Sequence, residues 1–92
     1  MVAEAQAQPR EIDRSLIGTL ELGGDEVPYV DLEDWPFIGS KVVVDGTEYT
    51  YARSFIIQGH SAVMPAAVAE LKAQGKSILV VERRDRYYVY VA

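Results

Sequence analysis

The sequence contains no cysteine and a single histidine. The lack of cysteine excludes a disulfide framework, a thiolate nucleophile and a cysteine-ligated zinc or iron–sulfur site. His60 lies at a glycine bend, with no second histidine and no glycine-serine-glycine nucleophile motif nearby. A small enzyme that uses His60 is therefore an alternative hypothesis, and we expect no catalytic site, metal or cofactor.

Long apolar runs are also missing. No run approaches the roughly 20 residues that cross a bilayer, and the first 14 residues lack the basic start and apolar centre of a signal peptide. We therefore expect a soluble, cytoplasmic protein without a membrane partner. The first 14 residues show no apolar periodicity and are predicted to form a flexible tail, with residues 15–92 forming a single domain.

Basic residues are few: nine lysines and arginines stand against 14 acids, for a net charge of −5. This net charge argues against nonspecific binding to nucleic acid, because phosphate contacts need a surplus of basic residues. The imbalance lies in residues 1–34, which carry nine acids and two bases. These acids either keep a small protein soluble or form an acidic face for a basic partner.

Two hairpins are predicted before residue 58. Residues 15–22 alternate in hydropathy and, after Gly23-Gly24, residues 27–32 resume an extended pattern. Because Pro28 has no N–H to donate, we expect the second of these strands at a sheet edge. The second hairpin turns at Asp45-Gly46, whose preference for positive φ suits a type I′ turn; this register pairs Val42 with Tyr49 and Val44 with Thr47.

The connector between these hairpins carries Trp35-Pro36-Phe37 and three acids, Asp31, Glu33 and Asp34. The two aromatic rings predict a lid folded back on the core, with an exposed binding loop as the alternative. The acids lack the spacing and glycine of a calcium loop, so a solvated turn is the preferred interpretation and a cation site the alternative.

A helix and a third hairpin follow. Met64, Val68 and Leu71 recur at helical spacing, Pro65 is placed near the helix start, and Gly75 is predicted as the left-handed C-terminal cap. The last hairpin turns at Arg84-Asp85. Its register puts Val80 with Val89 and Ile78 with Val91 on one face, predicted to lie under the helix, and Leu79 with Tyr90 and Val81 with Tyr88 on the other.

Tyr88 and Tyr90, rimmed by Arg83, Arg84 and Arg86, form the most distinctive surface that the sequence predicts. Tyrosine and arginine are enriched both in protein hot spots and in surfaces that bind single-stranded nucleic acid. Three interpretations stay open: tyrosines packed in the core, a protein interface that includes self-association, and a nucleic-acid site. The candidate interface residues are Tyr88, Tyr90, Arg83, Arg86, Trp35, Asp31, Glu33 and Asp34.

The helix-to-hairpin stretch, residues 68–75 followed by 80–83 and 86–89, resembles that of partition-type ParB nuclease-like domains. The resemblance covers about a quarter of the chain. That family's nucleotide site follows its final strand, whereas this sequence ends at Val91-Ala92, so no functional residue is transferred.

The predicted fold is α+β: a mostly antiparallel sheet of about six strands in the order ββ-ββ-α-ββ, with a single helix packed on one face. The predicted function is a nonenzymatic protein-binding module, such as a small regulator, inhibitor or accessory subunit, whose protein partner includes a second copy in a homodimer. The alternative is a nucleic-acid-related protein, either a binder through the Arg83–Arg86 hairpin or an acidic DNA mimic. The predicted core comprises Leu16 or Ile17, Leu20, Leu22, Val30, Val42, Val44, Phe55, Ile57, Val68, Leu71, Ile78, Val80, Val89 and Val91.

Overall fold

A computed structural model describes residues 10–22, 24–33, 35, 39–56 and 63–92. It contains one α-helix, α1 (Val63–Ala73), and a short 3-10 helix (Arg14–Leu16). The strands are β1 (Arg10–Glu11), β2 (Gly18–Leu22), β3 (Asp25–Asp31), β4 (Lys41–Val44), β5 (Thr47–Ile56), β6 (Ile78–Arg83) and β7 (Arg86–Val91).

The seven strands form one sheet in the order β1-β4-β5-β7-β6-β3-β2. The α+β class with one α-helix is confirmed. The finer prediction was wrong: the sheet has seven strands rather than six, it is mixed rather than mostly antiparallel, and the strand order differs. β1 lies parallel to β4, and β3 lies parallel to β6. Both parallel pairs join segments that are distant in the chain, so no local sequence pattern indicates them.

The three predicted hairpins are present, because each depends on a local turn. Asp45 and Gly46 both have positive φ, 52° and 78°, as a type I′ turn requires. The resulting register pairs Val42 with Tyr49 as expected. In the last hairpin the four predicted pairs, from Ile78 with Val91 to Val81 with Tyr88, are all observed.

The prediction that Pro28 marks an edge strand was wrong, since β3 lies between β6 and β2. The parallel pairing of β3 with β6 begins only at Tyr29, one residue after the proline. Leu32 donates its N–H to the Glu82 carbonyl on β6, and alternation along the strand puts the N side of Pro28 toward β6 as well. Pro28 therefore lies just before the first paired residue of the β3–β6 ladder, where its lack of an N–H costs no hydrogen bond.

One face of the sheet, here called the helix face, is covered by α1. Met64, Ala67 and Val68 of the helix pack with sheet residues that include Val80 and Val89. This confirms the expected position of the helix over the valine and isoleucine side of the last hairpin. Val27, which the sequence analysis did not place in the core, is 1% exposed in the same cluster.

The opposite face, here called the lid face, is also buried. A second cluster on this face comprises Ile12, Val30, Leu32, Val42, Leu79, Val81 and Tyr90. Ile17 and Trp35 pack against it from outside the sheet. The lid prediction for Trp35 agrees with this packing, whereas Phe37 lies outside the described residues.

The segment before β2 differs from its prediction. Residues 14–16 form the 3-10 helix rather than the start of a strand, because Asp13 caps that turn by accepting a hydrogen bond from the Ser15 N–H at 2.9 Å. Leu16 is 57% exposed and is not a core residue, whereas Ile17 is half-buried. Arg10 and Glu11 belong to the sheet, so the sheet extends into the segment assigned to the tail. The division into a tail and a domain stays a prediction.

α1 ends in a Schellman motif around Gly75, which the sequence analysis predicted as the left-handed C-terminal cap. The Lys76 N–H donates to the Leu71 carbonyl at 3.2 Å, and the Gly75 N–H donates to the Lys72 carbonyl at 2.9 Å. Gly75 has φ of 86°, a conformation that a residue with a Cβ adopts only at a cost.

Replacing Gly75 with alanine is expected to lower the free energy of unfolding by about 1 kcal/mol. An added Cβ would meet no atom within 4 Å, so the cost is conformational rather than steric. Gly39→Ala is the matched control, since that site is equally open and its φ is not positive. Urea unfolding of both variants checks this, and equal effects at the two sites would contradict it.

Candidate functional site

Five side chains on β5 and β7 share the lid face beyond the buried cluster. They are Tyr51, Ser54, Ile56, Arg86 and Tyr88, and together they are called the tyrosine patch. The antiparallel register places Tyr51 opposite Tyr90, Ser54 opposite Tyr88, and Ile56 opposite Arg86.

A β-bulge in β5 assembles the patch. The register between β5 and β7 shifts between Tyr51 and Arg53. In a regular strand, residues an odd number apart face opposite sides, so Tyr51 would lie on the helix face if Ser54 and Ile56 were on the lid face. The extra residue in the bulge, Ala52, puts all three on the same side.

The patch is largely aromatic and aliphatic, and it is accessible to solvent. Tyr51 is 41% exposed and Ile56 is 43% exposed. Tyr88 and Ser54 are half-buried, and Arg86 is exposed at the end of the patch. Single exposed apolar side chains are common on protein surfaces. Several grouped on one surface, as here, are typical of a contact site.

Three tyrosine rings form a recess at one side of the patch. Its volume is about 230 Å³, and it is lined by Gly39, Ser40, Tyr51, Tyr88 and Tyr90. The ring centroids of Tyr51 lie 6.3 Å from Tyr88 and 5.9 Å from Tyr90, in tilted and edge-to-face arrangements.

Tyr90 is part of the core and forms the floor of the recess. It is 1% exposed, and its hydroxyl donates a hydrogen bond of 2.6 Å to the Gly39 carbonyl. Burial, together with the neighbouring Tyr88 and Tyr51, raises the pKa of Tyr90 far above its ordinary value. Of the two tyrosines that the sequence singled out, only Tyr88 therefore presents its ring to solvent.

A separate group of contacts joins the connector to the last hairpin. It involves Glu33 and Trp35 of the connector and Arg83 of the hairpin. The Arg83 Nε donates to the Trp35 carbonyl at 2.7 Å, and the Arg84 backbone N–H donates to the Glu33 carboxylate at 2.7 Å. The Arg10 guanidinium lies 4.0 Å above the Trp35 ring, which adds a cation–π contact. These contacts hold the connector against the last hairpin, and of the predicted arginines Arg86 lies in the tyrosine patch.

The remaining predicted residues lie away from the patch. Asp31 is exposed at the end of β3, where its carboxylate accepts a hydrogen bond of 3.0 Å from the Glu33 N–H. Asp34 and His60 lie outside the described residues. Within the described part of the chain, no group of three or more acidic or histidine side chains has the arrangement that a metal ion needs.

A second recess, of about 410 Å³, lies between the 3-10 helix and the β4–β5 turn. Its rim is an ion pair between Arg14 and Asp45 at 2.5 Å, and both side chains are exposed. Such a pair stabilises the fold little because water screens it. The described residues that line it are half apolar and include no nucleophile paired with a base, so this recess does not suggest a catalytic site.

The sequence analysis missed Tyr51 and Ile56. Tyr51 lies 37 residues before Tyr88 in the chain, and only the pairing of β5 with β7 brings them together. The alternation of Tyr49, Tyr51 and Arg53 gave no sign of the bulge that redirects Tyr51.

No family model matches the chain, and searches of curated proteins and of solved structures find no similar one. The resemblance of the helix-to-hairpin stretch to ParB-type domains therefore gains no support. Neither helix in the described ranges has the length and apolar character needed to cross a bilayer.

Proposed function

We propose that this chain is a nonenzymatic protein-binding module whose interface is the tyrosine patch. The observation that supports this most is the exposure of Tyr51 and Ile56 beside Tyr88, because these large apolar groups face solvent next to one another. A partner would remove them from water, and burial of apolar surface is the main driving force for protein association.

The composition of the patch also fits protein recognition. Tyrosine and arginine are the residue types that contribute most at interface centres, and the patch holds Tyr51, Tyr88 and Arg86. Tyrosine offers a large contact area with few rotatable bonds, and its hydroxyl can bond to a partner backbone. The recess next to the patch would accept one anchoring side chain.

The partner is a protein segment or a second copy of this chain in a homodimer, and we place the activity in the cytoplasm. The Arg83 side chain bonds to the Trp35 carbonyl of the connector, and Arg84 lies in the turn, outside the tyrosine patch. Arg86 is therefore the one arginine in the patch. A surface that binds nucleic acid needs several basic residues to contact the phosphates. A protein partner is therefore favoured over a nucleic acid.

The interface is tested with Tyr51→Ala, and Thr50→Ala is the matched control. Thr50 is the exposed neighbour of Tyr51 on the opposite face of the same strand. Peptides selected from a displayed library for binding to the wild type are titrated against each variant, and light scattering reports the oligomeric state. We expect Tyr51→Ala to weaken binding of peptide or second copy about tenfold, as loss of an interface hot spot does, and Thr50→Ala to leave it unchanged.

Equal binding by both variants would contradict this proposal. The selected peptide is also titrated into isotope-labelled wild type. Amide chemical-shift changes on the helix face would contradict the proposal as well, since the patch would then not be the contact surface. A monomeric wild type that selects no peptide above background would contradict it as well.

A further inference from the structure

β2 is an edge strand whose outer side no described strand covers. Along β3 the even-numbered residues bond to β6, as the hydrogen bond from the Leu32 N–H to the Glu82 carbonyl shows. The odd-numbered residues of β3 therefore bond to β2, where their partners are Gly18, Leu20 and Leu22. It follows that Thr19 and Glu21 direct their N–H and carbonyl groups outward, as an unfilled ladder for another strand.

The charge along this edge has one sign. Residues 18–33 contain five acids and no base. Three of the acids, Glu21, Asp25 and Glu26, lie in the β2–β3 hairpin near the outer edge, and all three are exposed. Residues 10–92 outside this segment contain all nine lysines and arginines of the chain, so the absence of a base here is a local property of this hairpin.

Glu21 and Glu26 are direct cross-strand partners. Like charges placed opposite each other destabilise an antiparallel pair, and no described salt bridge relieves this one. A basic side chain on an added strand, next to Glu21 on the same face, would neutralise the Glu21 carboxylate and so weaken its repulsion with Glu26. The like-charge pair is thus a cost to the free protein that a basic partner would offset.

The other face of the same edge is apolar. Leu20 and Leu22 are half-buried and pack at the rim of the cluster beneath α1. Side chains alternate between the faces of a strand. An added strand would therefore place one set of residues beside the glutamates and the alternate set beside the leucines.

We propose that the β2 edge binds an extended segment of a basic protein, in which lysine or arginine alternates with apolar residues, by adding it as an eighth strand. Backbone hydrogen bonds to Thr19 and Glu21 would supply much of the affinity, and the alternating pattern would supply specificity. A second copy pairing through β2 is disfavoured, because it would bring two Glu21–Glu26 pairs to one seam. This site is independent of the tyrosine patch, from which β6 and β3 separate it.

The probe is a short capped peptide, about as long as β2, in which lysine alternates with valine. It is titrated into isotope-labelled wild type and followed by amide chemical shifts, with a peptide carrying glutamate in place of lysine as the control. We expect shifts concentrated on residues 18–22, affinity that falls as salt is raised, and no binding of the control peptide. Shifts centred on Tyr51 and Tyr88, or none with the lysine peptide, would overturn the proposal.

Thr19→Pro tests the backbone ladder directly. It removes an outward N–H and leaves the bonds between β2 and β3 in place, so we expect the peptide to bind at least about tenfold more weakly. Thr19→Val is the matched control, because it keeps the N–H and a branched side chain. Equal affinity of the two variants for the peptide would overturn the proposal.

Glu21→Lys tests the charge and does not depend on the folding of the proline variant. It reverses one member of the like-charge pair, so the free protein should become slightly more stable while the lysine peptide binds about fivefold more weakly. Tyr88→Ala should bind the peptide as the wild type does, which separates this site from the tyrosine patch. Unchanged binding by Glu21→Lys would overturn the proposal.

Discussion

Replacing Tyr90 with alanine is expected to lower the free energy of unfolding by about 3–5 kcal/mol. The ring fills the centre of the lid-face cluster at 1% exposure, and its hydroxyl is bonded to the Gly39 carbonyl. Truncation would leave a large cavity and would also remove the hydrogen bond that holds the Gly39 carbonyl. For a domain of this size, such a loss is a large part of the total stability.

Two further variants separate the parts of this effect. Tyr90→Phe keeps the ring and removes only the hydrogen bond, so we expect a loss of about 1 kcal/mol. Tyr51→Ala removes an exposed ring from the same recess and should cost much less than Tyr90→Ala. Urea unfolding curves measure all three, and similar losses for Tyr51→Ala and Tyr90→Ala would mean that the two rings are equally buried in solution.

Stability is also expected to fall steeply above about pH 10, the ordinary pKa of tyrosine. Burial raises the pKa of Tyr90, Tyr29 and Tyr87 above that value, and Glu82 adds to the effect at Tyr29 and Tyr87. The Tyr29 hydroxyl donates a hydrogen bond to Glu82, which favours the neutral phenol.

The sign follows from proton binding. Above pH 10 the unfolded chain loses its tyrosine protons while the folded chain keeps them, so each further rise in pH favours unfolding. The contribution of these groups is fully present below pH 10 and is lost as the pH rises through their folded pKa values. One such group changes the free energy of unfolding by at most about 1.4 kcal/mol per pH unit.

Circular dichroism between pH 8 and 12, at fixed urea, would measure this loss. Tyr90→Phe and Tyr29→Phe each remove one titrating group, so both should flatten the dependence of stability on pH, relative to their own values at neutral pH. Tyr51→Phe is the control at an exposed tyrosine. Parallel curves for the wild type and the Tyr90→Phe variant would contradict the assignment of alkaline instability to Tyr90.

The local parts of the fold could be predicted, and the reason is physical. The turn at Asp45-Gly46 needs two residues that tolerate positive φ, and a two-residue turn fixes the register of the whole hairpin. The same argument gave the pairs between β6 and β7. Gly75 marked the end of α1 because few other residues adopt its conformation.

The order of the hairpins in the sheet could not be predicted. The pairing of Val30 with Val81 joins residues 51 positions apart, and no turn specifies it. One signal was misinterpreted: residues 78–81 are an unbroken apolar run, which is typical of a strand buried on both faces. We interpreted it as a strand with only one face in the core, and so did not predict that the lid face is buried. Leu79 and Val81 on that face are about as buried as Val80.

The candidate site was predicted only in part, for the same reason. Tyr88 and Arg86 were identified because they lie on one local hairpin. Tyr51 and Ile56 come from another hairpin and depend on a bulge that the strand pattern does not show. Arg83 was assigned to the interface from its position beside the tyrosines, but its Nε donates to the Trp35 carbonyl.

The strand order also bears on how the chain is made. The β2–β3 and β4–β5 hairpins lie on opposite sides of the sheet, and β6–β7, which follows both in the chain, is inserted between them. On the ribosome, the first two hairpins emerge before the strands that lie between them, and no strand of one hairpin pairs with a strand of the other. They join into one sheet only when β6 and β7 leave the exit tunnel, so the nascent chain stays vulnerable to aggregation and proteolysis until that point.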